Sequence, residues 1–390
     1  MNPRPLALAS ALAIGGLLLA GCTENTKPAA SASADAWRLA VKASDSACDV
    51  TAATAPSGTL TFSVTNAGNQ VNEFYLLAAD GLRIIAEVEN IGPGLTRELV
   101  VAAPAGDYFT ACKPGMIGDG IRAAFKVSDS GQAVGVSGDV KELVAKATAE
   151  YALYVKDQTE QLVAKTEKFV DLYKTGKDDE ARALYADART HWERIEPVAE
   201  SFGDLDPRMD AREADLAAGD AFTGWHRIEK DLWPARSQGY TALTTAERAQ
   251  VADTLMADTK ELYTRTRTVT FTADGIANGA KSLLDEVATG KVTGEEEYWS
   301  RTDLWDFQAN VDGARIAWEG LRPVLQKKDA ALDTTIESEF KHLQTLLDAQ
   351  RSGSGFVTYD KLSEAQVKQL SDAVNALSEP LSKMAAAVLS

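Results

Sequence analysis

Residues 128–154 read SDSGQAVGVSGDVKELVAKATAEYALY, and the pattern of the chain changes within them. Ser128–Gly138 is a Gly/Ser-rich linker. Beyond it Val140, Leu143, Val144, Ala147, Tyr151 and Tyr154 recur at the spacing of one helix face. Before it, short β-branched or alternating segments are separated by turn signals such as Asp80-Gly81, Gly92-Pro93-Gly94 and Pro104-Ala105-Gly106-Asp107. The stretch therefore divides an all-β first domain, residues 37–130, from an all-α second domain, residues 138–390.

Seven β segments are expected: Trp37–Ala43, Gly58–Thr65, Glu73–Ala78, Leu82–Glu89, Arg97–Ala102, Asp107–Cys112 and Arg122–Val127. Their spacing predicts a β-sandwich. The second domain predicts further helices at about 178–196, 221–233, 245–286, 301–324, 327–350 and 361–389, with ends marked by Gly176, Pro197, Gly203, Pro234, Gly290, Pro323 and Gly353. Long helices with short connections predict a bundle, and this length suggests two packed bundles.

The N-terminus reads as an address. Arg4 precedes an apolar run, Leu6 to Ala20, that ends in Leu19-Ala20-Gly21-Cys22. This is the pattern of a bacterial lipoprotein signal peptide, residues 1–21, with Cys22 acylated. Residues 22–36 read as a flexible tether, and the protein is expected outside the cytoplasm, at the cell surface or in a periplasm, held to the membrane through Cys22.

The 390 residues carry 40 Lys+Arg against 57 Asp+Glu, a net charge of -17. That charge is repelled by phosphate backbones and excludes nucleic acid as a partner. Only three His occur, His191, His226 and His342, so a metal would be held largely by carboxylates. Within the helical domain, His226 and Glu229 of GWHRIEKDLW lie three residues apart, the spacing of ligand pairs in carboxylate metal bundles. Glu193 and Glu196 of HWERIEP share a helix face if the helix runs through them to Pro197, with Arg194 between them as the bland ion-pair alternative. No His-Glu-x-x-His or His-x-x-Glu-His motif is present, which leaves a zinc peptidase without a second imidazole. His191 and His342 read as structural.

With Cys22 lipidated, Cys48 and Cys112 remain. Two readings compete for them: a disulfide, or thiolate ligands of a remodelled metal site with Glu73 and Glu89. The loop Cys112-Lys113-Pro114-Gly115-Met116 resembles a cupredoxin copper loop, but residues 37–130 contain no His, so a blue-copper centre is excluded.

The stretches HWERIEPVAESFGDLDP, GWHRIEKDLW and TGEEEYWSRTDLWDFQANVDGARIAWEGLRP together resemble the imelysin-like domain. A cupredoxin-like domain followed by that domain is similar to the EfeO family, the extracytoplasmic component of EfeUOB iron-uptake systems. The resemblance covers about residues 37–390. It implies an iron site (Fe3+ or Fe2+, with copper or zinc as further candidates) at His226 and Glu229. Glu193, Glu196, Asp210 and, less directly, Asp303 are added ligands, and Cys48, Glu73, Glu89 and Cys112 form an auxiliary site. It further implies an EfeU-like permease and an EfeB-like haem peroxidase as partners, and a binding protein rather than an enzyme. A metallopeptidase-like hydrolase is the alternative; a polysaccharide-binding lipoprotein is a third reading. On this ligand set, affinity is expected to fall below about pH 6 as His226 takes up a proton.

Overall fold

The computed structural model describes residues 34–136, 138–216, 219–237 and 239–390. The signal-peptide reading and Cys22 lie outside the described residues, as does most of the tether. Among the described residues no helix is long and apolar enough to cross a membrane.

The β region holds nine strands: β1 (Arg38–Ala43), β2 (Cys48–Val50), β3 (Thr54–Pro56), β4 (Gly58–Asn66), β5 (Asn72–Leu77), β6 (Ile84–Ile91), β7 (Thr96–Ala103), β8 (Gly106–Cys112) and β9 (Ile121–Ser128). They form two sheets, ordered β2-β1-β4-β7 and β3-β9-β8-β5-β6. The seven expected segments are present. β2 and β3, three residues each, were too short to show alternation. Leu39, Phe62, Val64 and Val101 of one sheet share a core with Phe74, Val88, Phe125 and Cys112 of the other. The Phe62 ring sits 5.1 Å from Phe74 and 5.7 Å from Phe125, between centroids.

Cys48 and Cys112 are joined in a disulfide across the two sheets. This corrects the reading of both as metal ligands, because a disulfide offers no thiolate. Strand alternation adds a second reason. Phe74 pairs directly with Cys112, so both point into the sandwich, whereas Glu73 is the next residue and points to the opposite face. Glu73 accepts a 2.5 Å hydrogen bond from Tyr75 and lies 3.8 Å from Lys113. Glu89 accepts from Ser282 of the helical region at 3.2 Å. The four expected auxiliary ligands are thus not brought together.

The helical region contains α1 (Lys141–Lys174), α2 (Asp178–Glu193), α3 (Glu196–Glu200), α4 (Asp206–Met209), α5 (Gly224–Leu232), α6 (Thr245–Thr266), α7 (Ala273–Thr289), α8 (Asp303–Lys328), α9 (Ala330–Asp348), α10 (Glu364–Leu381) and α11 (Met384–Leu389), with a small hairpin between α9 and α10. Buried apolar residues from Val140 to Val388 form one continuous core instead of two. The expected helix 245–286 is interrupted at 267–272, where the run Thr-Val-Thr-Phe-Thr disfavours helix and Thr272 instead caps α7 through Gly275 N. Pro323 does not end a helix. It sits on the exposed face of α8, where water can take the carbonyl left without a donor. The β region docks on α7: Asp274 accepts from Ala102 N at 2.8 Å, and Asn278 donates to Val100 O at 3.0 Å.

The disulfide closes a 64-residue separation, so a Cys48→Ser/Cys112→Ser variant is expected to lose about 2–4 kcal/mol. Chemical denaturation checks this.

Candidate metal centre

Four segments build the centre, and each has a local reason for its path. α5 starts at Gly224, whose φ is +76°; a Cβ there would lie 2.0 Å from the Met209 carbonyl oxygen. Only glycine permits that approach, and it sets the start of the His226 helix against the chain leading into Asp210. Thr223 strengthens the junction by donating to Arg208 O at 2.7 Å. α2 ends at Glu193 and α3 begins at Glu196, with Pro197 in the first turn of the new helix. The two glutamates therefore flank a break, not one continuous face, and Pro197 starts a helix where it was expected to stop one. Arg194 pairs away from both, with Asp312 at 3.0 Å. The last segment is the strap 290–302, between α7 and α8, which carries Lys291, Glu296 and Glu297.

These segments converge on His226, which is fully buried. Its Nδ1 lies 3.2 Å from Glu229 Oε2. Its Nε2 has no hydrogen-bond partner and faces Asp210 Oδ1 at 3.4 Å and Glu296 Oε1 at 3.5 Å. Glu229 is held by the backbone amides of Trp299 and Ser300, which donate to its Oε1 at 2.8 and 2.6 Å. Asp210 accepts from Trp192 Nε1 at 2.6 Å and pairs with Arg189. Asp303 stands at the start of α8, accepts from Glu297 N at 3.0 Å, and keeps Oδ2 unpartnered. Asp306, one turn on, has both oxygens buried without a hydrogen bond.

Of the expected residues, His226, Glu229, Glu193, Glu196, Asp210 and Asp303 lie together. Glu296, Glu297 and Asp306 were missed, although all three fall inside the TGEEEYWSRTDLWDF stretch. A run of three glutamates in a loop carries no spacing signal. Only the Glu297–Asp303–Asp306 juxtaposition at the head of α8 reveals them. His191 is apart from the centre: its Nδ1 meets Gln158 at 2.8 Å, and burial lowers it to about 4.

All eight carboxylates, Glu193, Glu196, Asp210, Glu229, Glu296, Glu297, Asp303 and Asp306, are buried. Two fully buried cations stand among them. Arg189 contacts Glu193, Asp210, Glu296, Glu297 and Asp306. Lys291 contacts Glu193 at 3.4 Å and Glu196 at 3.1 Å. Arg212 reaches Glu296 from the rim at 3.8 Å. Even with these and a protonated His226, eight carboxylates face four cations. An uncompensated buried charge is too costly to persist, so protons or added cations must absorb the surplus.

The carboxyls respond accordingly. Burial pushes Glu196 up to about 8 and Glu297 up to about 7, the latter helped by the charge of Glu229. Burial raises Asp303 to about 7 and lifts Asp306 and Glu193 well above the ordinary range. Glu296 goes the other way: burial opposes its charge, but Lys291 and His226 outweigh it. For His226, burial and Arg189 oppose the imidazolium, yet Glu229, Glu296 and Asp210 prevail and hold it well above 6.5. A metal at His226 would therefore have to displace a proton held more tightly than the ordinary imidazole value implies.

A carboxyl whose folded pKa is raised binds its proton more tightly in the native state. Stability from such groups is present at low pH and is lost as pH rises from the unfolded value near 4.5 through about 7–8. Metal-free protein is therefore expected to melt at a higher temperature at pH 5.5 than at pH 8. The shift should be about 2–4 °C per kcal/mol, or less for a chain of this length. Scanning calorimetry across that range checks it; a melting point that rises with pH would contradict the buried surplus. Gly224→Ala should force α5 away from Met209 and lower the melting temperature of the metal-free protein in the same experiment.

The sequence profile of the imelysin (peptidase M75) family matches residues 147–384. Iron uptake system component EfeO of Yersinia pestis is 37% identical over 354 residues, 90% of this chain and 91% of its own length. The proteins of the same name from Yersinia pseudotuberculosis and Escherichia coli K12 are 38% and 36% identical over the same shares. The chain therefore belongs to the imelysin family and, within it, to the family of EfeO proteins.

Proposed function

We propose that this protein captures iron outside the cytoplasm and hands it to a membrane permease, as a binding protein and not an enzyme. The observation that carries the proposal is the buried surplus of carboxylates around an unpartnered His226 Nε2. Hard oxygen donors with one imidazole suit Fe3+, with Zn2+ and Cu2+ as competitors. The relatives' name points the same way.

Within this reading His226 Nε2, Asp210 and Glu296 supply the first donors, since their ligand atoms lie within 4.8 Å of one another. Glu229 orients His226 through Nδ1 and is itself fixed by two backbone amides. Glu193, Glu196, Glu297, Asp303 and Asp306 supply charge and give up protons as the metal enters. Burial of every donor also speaks against the alternative of a peptidase, because a polypeptide substrate needs an open coordination position. The two regions would act as separate domains, 37–130 and 138–390, with residues 1–21 removed, 22–36 as tether and Cys22 acylated. The first would be a cupredoxin-like domain without copper chemistry. An EfeU-like permease would receive the metal and an EfeB-like haem peroxidase would act beside it.

The test is calorimetric titration of residues 23–390 with Fe3+ supplied as its nitrilotriacetate complex, and with Fe2+, Zn2+ and Cu2+. His226→Ala/Glu229→Ala is expected to cost more than the about 10–100-fold that loss of an outer partner costs. Equal iron binding by a folded double variant overturns the proposal, as does peptide cleavage that depends on His226. Heats at pH 6.5 should vary with the buffer's ionisation enthalpy, reporting proton release on binding.

A further inference from the structure

We infer that Lys291 is a resident cation that the incoming metal displaces, so that capture and release are an exchange of one positive charge for another. The inference rests on the metal reading above.

Lys291 is fully buried, and its ammonium is the meeting point of four carboxylates. Nζ donates to both oxygens of Glu196, at 3.1 and 3.3 Å. It also lies 3.4 Å from Glu193 Oε2, 3.8 Å from Glu286 Oε2 and 3.8 Å from Glu296 Oε1. The oxygen Glu296 Oε1 is shared: His226 Nε2 is 3.5 Å away, Arg189 Nη2 is 3.5 Å away, and Lys291 is the third positive group on it. Three positive groups within 3.8 Å of one carboxylate oxygen mark where positive charge is most strongly demanded. A multivalent ion bound by Glu296 and His226 would sit beside an ammonium it repels.

Of the two buried cations, only Lys291 is built to leave. The Arg189 guanidinium is forked into Asp210, Glu193 and Glu297, and a rigid fork on several partners is hard to withdraw. Lys291 is a point charge on a flexible four-carbon stem. It stands in a short 3-10 turn, Lys291–Thr293, bounded by Gly290 and Gly294. Gly294 has φ +75°, and a Cβ there would lie 2.3 Å from the Tyr359 ring. The same strap carries Glu296, so movement of the ammonium outward and of a ligand onto the metal belong to one segment. Glu286, at 3.8 Å, belongs to a separate group with Glu89 and Glu200 and gives the withdrawn ammonium a carboxylate there. Return of the ammonium to Glu196 and Glu193 then favours release when a partner draws the metal off.

The test compares wild type, Lys291→Met and His226→Ala/Glu229→Ala in full-length mature chain. Zn2+ serves as a redox-inert probe and Fe3+-nitrilotriacetate as the second. Lys291→Met is expected to bind at least about tenfold more tightly, since a repulsive unit charge has been removed. It should also release metal to a chelator correspondingly more slowly and melt at a lower temperature when metal-free. In the wild type, amine acetylation read by mass spectrometry should label Lys291 several-fold faster with Zn2+ bound than without. This second readout decides the matter if Lys291→Met does not fold. Unchanged or weaker binding by folded Lys291→Met overturns the exchange while loss of binding by the double variant leaves the metal centre standing. Equal labelling in both states likewise overturns it. Absence of metal binding by wild type removes both the centre and the exchange.

Discussion

Buried negative charge in excess of buried positive charge is the constraint on which the rest of this structure depends. Eight carboxylates lie out of water around His226, and the cations that accompany them, Arg189, Lys291 and Arg212 at the rim, do not balance them. A fold can hold such a set only by taking up protons or by binding cations. The first response is written into the site: burial raises the carboxyls of Glu196, Glu297 and Asp303, and carboxylates hold the imidazolium at His226.

The scaffold meets this demand with breaks in its helices. The interruption between α2 and α3 brings Glu193 and Glu196 to the same ammonium. The glycine start of α5 brings His226 to Asp210. The strap before α8 supplies Glu296 and Glu297, and its amides fix Glu229. Apolar packing of Phe169, Tyr185 and Trp225 behind α5 keeps one wall of the site rigid, with Phe169 and Trp225 5.3 Å apart between ring centroids.

The two-part architecture was legible because hydrophobic period is a local property, and the change after residue 138 is abrupt. His226 and Glu229 were legible because they sit at helical spacing within one element. Glu296 and Glu297 were not, because their meeting with His226 depends on how a loop folds back over α5, and Asp306 joins them only through Arg189. Arg189 was overlooked for a related reason: an Arg four residues before a Glu reads as an ordinary surface pair, yet here both are fully buried. The cysteines illustrate the opposite case, in which one-residue alternation already separates Cys112 from Glu73. That alternation decides between the two readings once β5 and β8 are known to pair at Phe74 and Cys112. The broken helix at 267–272 and the tolerated Pro323 show that context outweighs the breaker residue: a threonine-rich run interrupts a helix without Pro or Gly, and an exposed Pro is carried inside α8.

On the proposed function, the surplus charge holds a metal at His226. The most direct measurement is anomalous diffraction from crystals of the mature chain loaded with Fe3+. An iron peak is expected beside His226 Nε2, bonded to Asp210 and Glu296 carboxylates. Density confined to the β region, or a metal-saturated crystal with His226 Nε2 still unligated, would contradict it.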